Sequence, residues 1–366
     1  MGGTRGAITA IAVWGLVGAL GCGARSSLTG TTNGEPGGCM GSGLVTLASQ
    51  QATPLGIALD ATRVYWTSFY GGTVAACAKC GCADQPTTIA SGRRNPASIA
   101  VGPTSVYWTE SGPNVNDLGS VMACSVEGCA GAPTLLGPQV CFDGPGLPSC
   151  WNVAADTESV YWTIDDTVLA CPLAGCSAPT PILSGQILDW ESTWPWASLA
   201  VDATSVYFTS FYVGAAPCGG LCDKVVRCPR EGCGAGPTLL AEAQRASNLA
   251  VGGGNVYWIN LGPSPSGTVV KCAASGCEGN PTVLAADEIL PTAIAADETS
   301  VYWTSYADTT GKSGTGAVRK CAASGCGGRP MTIASGQDFP SAIAVDATSV
   351  YWANAGDGTI MKLTPK

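Results

Sequence analysis

One tripeptide, Val-Tyr-Trp or its variant Val-Tyr-Phe, recurs seven times, beginning at Val64, Val106, Val160, Val206, Val256, Val301 and Val350. The intervals are 42, 54, 46, 50, 45 and 49 residues. Self-similarity at this period constrains a fold more tightly than composition does, and the period matches one four-stranded β-sheet unit.

Each copy holds four strand signals. The first is a small apolar stretch such as Ile99-Ala100-Val101, whose central alanine recurs as Ala58, Ala100, Ala154, Ala200, Ala250, Ala295 and Ala344. A small residue fits an innermost strand, where sheets arranged radially converge. A short turn follows, often opened by aspartate (Asp60, Asp156, Asp202, Asp297, Asp346), and leads into Val-Tyr-Trp. That second strand is apolar on both faces, as a sheet sandwiched between two others requires. The third strand is exemplified by residues 267–272 and the fourth by Pro281-Thr282-Val283-Leu284. The last copy ends after its third strand, while an unassigned strand, Leu44-Val45-Thr46-Leu47-Ala48, precedes the first copy. The expectation is an all-β propeller of seven four-stranded blades, closed by the N-terminal strand so that no sheet edge stays open. Six blades plus an irregular unit is the alternative.

Val-Tyr-Trp-Thr at 64–67, 106–109, 160–163 and 301–304 resembles the YWTD class of propellers found in low-density-lipoprotein-receptor-like proteins and bacterial relatives. The resemblance covers residues 43–366. It departs from the family where Ser68, Glu110, Ile164 and Ser305 replace the aspartate, and in blade number, since that family usually has six. It supports the architecture and carries over no binding residue. The whole pattern also resembles lipoproteins of predatory or soil bacteria.

The N-terminus indicates the compartment. An apolar run from Ala7 to Gly21 follows Arg5 and precedes Cys22. Crossing a bilayer core takes roughly 20 residues, so this run reads as the apolar region of a signal peptide. Ala19-Leu20-Gly21-Cys22 is similar to a bacterial lipobox, in which the cysteine becomes the lipid-modified first residue. The chain therefore divides into a lipoprotein-type signal peptide (1–21), a Gly-, Ser- and Thr-rich tether (22–42) and the propeller (43–366). Its expected place is the bacterial cell envelope, held to the membrane by lipid on Cys22; plain secretion is the alternative.

An exported chain keeps disulfides. Twelve cysteines form six C-x4-C pairs at one point of successive repeats: Cys77/Cys82, Cys124/Cys129, Cys171/Cys176, Cys228/Cys233, Cys272/Cys277 and Cys321/Cys326. Cysteine clusters also ligate metals, but export favours a disulfide across each hairpin. Closing so short a loop stabilises by only ~2 kcal/mol in the chain-entropy model, so such clips tighten blades rather than create them. Cys141/Cys150 and Cys218/Cys222 are expected to staple two long loops, which leaves Cys39 and Cys80 to pair by elimination.

Function is less legible. A net charge of −9 is the wrong sign for a nucleic-acid partner. The absence of histidine removes the usual proton shuttle and the Ser-His and Cys-His nucleophile pairs. No metal, cofactor or catalytic residue is expected. Length variation collects in the fourth-to-first and second-to-third connections, which share one rim; variable loops on a rigid scaffold are the usual binding surface. Candidate ligand-binding residues there are Tyr70, Trp151, Asn152, Asp189, Trp190, Glu191, Trp194, Trp196, Tyr212 and Tyr306, with Asn248 near the channel mouth. Aromatic faces beside carboxylates suit sugar rings or cationic groups, and a carbohydrate, peptide or protein ligand fits this set. Packing competes as the explanation for Phe69-Tyr70 and Phe211-Tyr212. The alternative function is a histidine-free carbohydrate-active enzyme using carboxylates such as Asp189 and Glu191. Arg227, Lys271, Lys320 and Lys362, on the third strands of later repeats, are expected to be solvated.

Replacing Cys22 by serine is expected to release the protein from membranes or block its processing, as followed by membrane fractionation. Retention in the membrane fraction after a salt wash would require another anchor.

Overall fold

The computed structural model describes residues 42–112, 119–129, 131–139, 153–164, 167–176, 178–184, 198–210, 224–234, 236–242, 245–262 and 265–366. These residues form seven four-stranded antiparallel sheets. Blade 1 comprises Pro54–Leu59, Arg63–Ser68, Thr73–Ala78 and Thr87–Ala90. Blades 2 to 6 span residues 99–139, 153–183, 199–241, 246–289 and 291–337. Blade 7 takes Pro340–Val345, Val350–Asn354 and Thr359–Thr364, and its outermost strand is Gly43–Ala48. That strand pairs antiparallel with Thr359–Thr364, Val45 lying opposite Lys362. The first strand of every blade contacts those of both neighbours, so the ring is closed. The chain is a seven-bladed β-propeller, which sets aside the six-bladed alternative and departs from the usual YWTD count.

Alternation along the second strand builds the core. In a β-strand successive side chains point to opposite faces, so each Tyr faces one neighbouring blade and the flanking Val and Trp face the other. Tyr65 packs in one cluster with Val106 and Trp108 of blade 2. Tyr107 joins Val160 and Trp162, Tyr161 joins Val206 and Phe208, and Tyr207 joins Val256 and Trp258. Tyr257 joins Val301 and Trp303, and Tyr302 joins Val350 and Trp352. Tyr351 meets Val64 and Trp66, with Leu47 of the N-terminal strand in the same cluster. The six tryptophans of the motif are all at 0% exposure. Burying such a side chain stabilises by roughly 1.5–3 kcal/mol, and the repeat delivers it at every junction.

The short-turn rim is tied electrostatically. Asp60 Oδ1 accepts the backbone amides of Thr62 and Arg63, and Oδ2 accepts the Tyr65 hydroxyl at 2.6 Å. Asp156, Asp202, Asp297 and Asp346 take Tyr161, Tyr207, Tyr302 and Tyr351 in the same way. Burial raises the Asp346 carboxyl, but its donors, Lys79 first, outweigh this and hold it well below the carboxylate range. Three of the aspartates also meet a cation from the next blade: Lys79–Asp346 at 2.9 Å, Arg230–Asp156 at 3.0 Å and Lys366–Asp297 at 2.7 Å.

The third-strand cations are tied to neighbouring blades rather than freely solvated, contrary to the sequence expectation. Arg227 donates to the Ala274 carbonyl of the following blade at 2.6 Å. Lys271 donates to Ala323, Lys320 to Lys366, and Lys362 to Lys79 at 2.9 Å. Each cation finds a carbonyl just past the neighbouring blade's third strand, and Lys362 is only 7% exposed. In blade 1, where Ala76 holds that position, Arg63 reaches the Val126 carbonyl from the second strand.

Six disulfides join Cys77 to Cys82, Cys124 to Cys129, Cys171 to Cys176, Cys228 to Cys233, Cys272 to Cys277 and Cys321 to Cys326, with Cα–Cα distances between 5.1 and 5.5 Å. Each lies within one blade, as expected, and its surroundings add contacts with the preceding blade. The first cysteine of each pair is buried on the third strand. Its partner follows in the turn, where Cys82, Cys129, Cys176, Cys277 and Cys326 are half-buried against the core between two blades. Cys82, Cys277 and Cys326 bring Sγ to within 3.5, 3.4 and 3.6 Å of the Leu47, Leu240 and Leu284 carbonyls, each on the preceding blade's fourth strand. Two of the clipped hairpins also hydrogen-bond to that strand, Cys129 N–H to Ile89 and Cys233 N–H to Ile182. Cys80 is disulfide-bonded as well. Cys22, Cys39, Cys141, Cys150, Cys218 and Cys222 lie outside the described residues.

Deleting residues 43–50 removes Leu47 from the blade 7–blade 1 core and opens an edge. A fall in Tm of about 10 °C or more, with aggregation, is expected by calorimetry and light scattering. An equally stable monomer would refute closure by this strand.

Candidate functional site

The inner strands carry a second ring of contacts nearer the loop rim. Thr67 Oγ1 donates to the Ala97 carbonyl at 2.6 Å, and the Val153 amide donates to Ser98 Oγ. The Leu249 amide donates to Ser198 Oγ at 3.0 Å, and Asn248 Nδ2 to the Thr292 carbonyl at 2.6 Å. Thr292 Oγ1 donates to Pro340, and Ser341 Oγ to Pro54. These bonds tie neighbouring blades near their first strands, where the chain enters each blade from the loop rim.

The motif tryptophans point their indole N–H toward the same rim. Trp66 and Trp352 donate to Gln51 and Gln337, which follow the fourth strand of the preceding blade or end it. Trp303 donates to Glu288 Oε2 at 2.8 Å in the same manner, while Arg319 lies 3.4 Å from Oε1. Trp108 donates to Glu110, which Arg93 holds through two nitrogens at 2.6 and 2.9 Å. Burial pushes the Glu288 carboxyl up, against the Trp303 bond and Arg319, which pull it down. Both carboxylates are thus committed to indoles and guanidinium groups. Among the described residues no three His, Cys, Asp or Glu side chains gather as a metal cluster.

Of the candidate ligand residues, Tyr70 and Tyr306 are described. Phe69 is packing: it is buried with Leu55, Ala97 and Ala355 and meets the Tyr70 ring edge-on at 5.0 Å. Tyr70 itself is 68% exposed. Tyr306 stacks on Phe339 with ring centroids 4.6 Å apart. Trp151, Asn152, Asp189, Trp190, Glu191, Trp194, Trp196 and Tyr212 lie outside the described residues.

Tyr306 and Asn248 line one cavity of about 520 Å³ on the loop rim between blades 5 and 6. Leu261, Leu290 and Pro291 give it an apolar wall, and Ser247 also faces it. Its origin lies in the repeat. The amides of Phe69, Leu261 and Tyr306 each bond back to the preceding connection, at Thr53, Arg245 and Leu290, so the three residues are equivalent. Blade 1 places Phe69-Tyr70 there; blade 5 places Leu261-Gly262 and leaves volume unfilled. A Cβ on Gly262 would come within 2.9 Å of the Ser266 carbonyl oxygen, so that position cannot carry a larger residue without moving the hairpin. Sequence reasoning missed this cavity, although comparing the residues after each motif would have flagged it.

A larger cavity, about 700 Å³, lies at the opposite rim among the first-to-second turns of blades 1 to 4 and includes Arg230. Of its carboxylates, Asp60, Asp156 and Asp202 are the turn residues already engaged by backbone amides and tyrosines, and Glu158 pairs with Arg230 at 2.8 Å. It is the end of the channel framed by the scaffold.

No known protein family matches the chain, and no curated protein matches it. Solved structures do. Virginiamycin B lyase from Staphylococcus aureus is 13% identical over 88% of this chain and 98% of that one, at a TM-score of 0.59. The WD40 propeller domain of Doa1 is 11% identical, covering 87% and 97%, at 0.58. The propeller domain of the Trilobed protease from Pyrococcus furiosus is 8% identical, covering 87% and 97%, at 0.56. Its topology is described as an open velcro, whereas here an N-terminal strand closes the last blade. These likenesses define the class, a β-propeller, and nothing finer.

Glu288→Gln is expected to raise Tm at about pH 7.5 and to leave it nearly unchanged at about pH 4. The carboxyl's folded value lies above its unfolded value of about 4.3, so the cost of its charge is absent below that pH and complete once pH exceeds the folded value. Gln337 and Gln51 already hold this indole partnership in other blades. A fall in Tm at the higher pH would show that the Arg319 contact outweighs the desolvation.

Proposed function

We propose that the chain is a non-catalytic binding module of the bacterial cell envelope, tethered by lipid on Cys22, whose ligand docks on the rim of fourth-to-first and second-to-third connections. The contrast between the two rims carries this reading. One rim repeats a single aspartate–tyrosine turn in five blades and adds cation ties between blades. The other rim varies in length and side chains from blade to blade and holds the cavity beside Tyr306. A rigid frame with one variable face is how scaffolds present a site.

The absence of histidine supports binding over lyase chemistry of the neighbouring kind. A virginiamycin B lyase solved with quinupristin is described as catalytically inactive once one histidine is replaced by alanine, and this chain contains none. Glu110 and Glu288 have structural partners, and a carboxylate enzyme would instead draw on loop carboxylates such as Asp189 and Glu191.

A screen of glycans, peptidoglycan fragments and short peptides, with hydrolysis followed in the same samples, tests the reading. Saturable binding without product is expected. Turnover lost in Asp189→Asn or Glu191→Gln would establish the enzyme instead.

A further inference from the structure

We propose that the cavity between blades 5 and 6 is a binding site for a small uncharged group: an apolar ring or branched side chain next to one amide or carbonyl, as in a capped amino acid or a residue within a peptide. The inference rests on the loop rim being the binding face and assigns it a location and a ligand chemistry.

The cavity's polar atoms decide the chemistry. Asn248 spends its Nδ2 on the Thr292 carbonyl, and Thr292 Oγ1 is shared between Thr304 and the Pro340 carbonyl. Arg245 and Ser266 are themselves engaged. Ser247 is different: it lines the cavity, is 7% exposed, and its Oγ has no hydrogen-bond partner among the described residues. A buried hydroxyl without a partner is costly, and a ligand amide or carbonyl would satisfy it. The remaining wall includes Leu261, Pro265, Leu290, Pro291 and the Tyr306 ring, which is held in place by its stack on Phe339. A sugar would bring several hydroxyls to a largely apolar wall and leave most of them unsatisfied. An apolar body with one polar group matches. At about 520 Å³ the space lies within the range of small-molecule sites.

The same repeat supplies the blocking variants. Leu261→Phe installs the ring that Phe69 places at the equivalent point of blade 1, and Leu290→Phe copies Phe339. Binding of N-acetyl-L-phenylalaninamide is measured by ligand-observed NMR and calorimetry, beside a peptide with internal phenylalanine and an N-acetylglucosamine oligomer. Saturable binding of the capped amino acid is expected. Ser247→Ala should weaken it about tenfold without lowering Tm, and either phenylalanine variant should abolish it with Tm unchanged or raised. If the peptide binds with the same dependence, the natural source is a chain; if only the capped residue does, it is a free small molecule.

Binding indifferent to both phenylalanine variants overturns the assignment, as does no saturation up to about 10 mM. Sugar binding that Leu261→Phe blocks overturns the chemistry. A rim ligand from the glycan and peptide screen that ignores Leu261→Phe removes this inference and leaves the binding-module reading standing. Failure of every ligand at the rim removes that reading too.

Discussion

The fold depends on one alternation: in each second strand the tyrosine faces forward and the valine and tryptophan face back. Every junction between blades is therefore filled by a tyrosine from one repeat and an aromatic ring from the next. Neither half buries its surface alone, so a blade has no stable face until its neighbour is present. This is why the chain must return to its start. Tyr351 of the last repeat requires Val64 and Trp66 of the first, and Leu47 of the N-terminal strand completes the same cluster.

Polar groups then distribute themselves around that apolar layer. In five blades the tyrosine hydroxyl emerges at the short-turn rim, where an aspartate accepts it and also organises the turn. The indole N–H emerges toward the loop rim, where Gln51, Gln337, Glu288 or Glu110 accepts it in four blades and the Pro138 carbonyl accepts that of Trp162. The first arrangement recurs almost unchanged. The second uses a different residue from blade to blade, because that rim receives connections of unequal length. The repeated rim and the variable rim are thus two ends of the same strand.

Blade number, strand order, closure and the six hairpin disulfides were legible in the sequence, because Val-Tyr-Trp and C-x4-C repeat at one register. The spacing of the cysteines did not reveal that Cys82, Cys176, Cys277 and Cys326 also pack into the junction with the preceding blade. Arg227, Lys271, Lys320 and Lys362 were misread as solvated for a related reason. Strand alternation shows which face a lysine takes but not that a neighbouring blade offers a carbonyl within its reach. The cavity beside Tyr306 was illegible on other grounds. It arises from volume that is missing, Leu261-Gly262 in place of Phe69-Tyr70, and a motif search registers what is present. Tyr306 entered the reading as an aromatic on a loop and proved to be one wall of that space.

On the proposed function the short-turn rim is frame and the loop rim is site. Hydrogen–deuterium exchange with mass spectrometry, with and without saturating N-acetyl-L-phenylalaninamide, tests it directly. The account predicts added protection at the amides of 245–248, 260–262 and 287–292 on binding. It also predicts slow exchange at the turns holding Asp60, Asp202, Asp297 and Asp346, unchanged by the ligand. Protection appearing at those turns, with the loop rim unaffected, would contradict it.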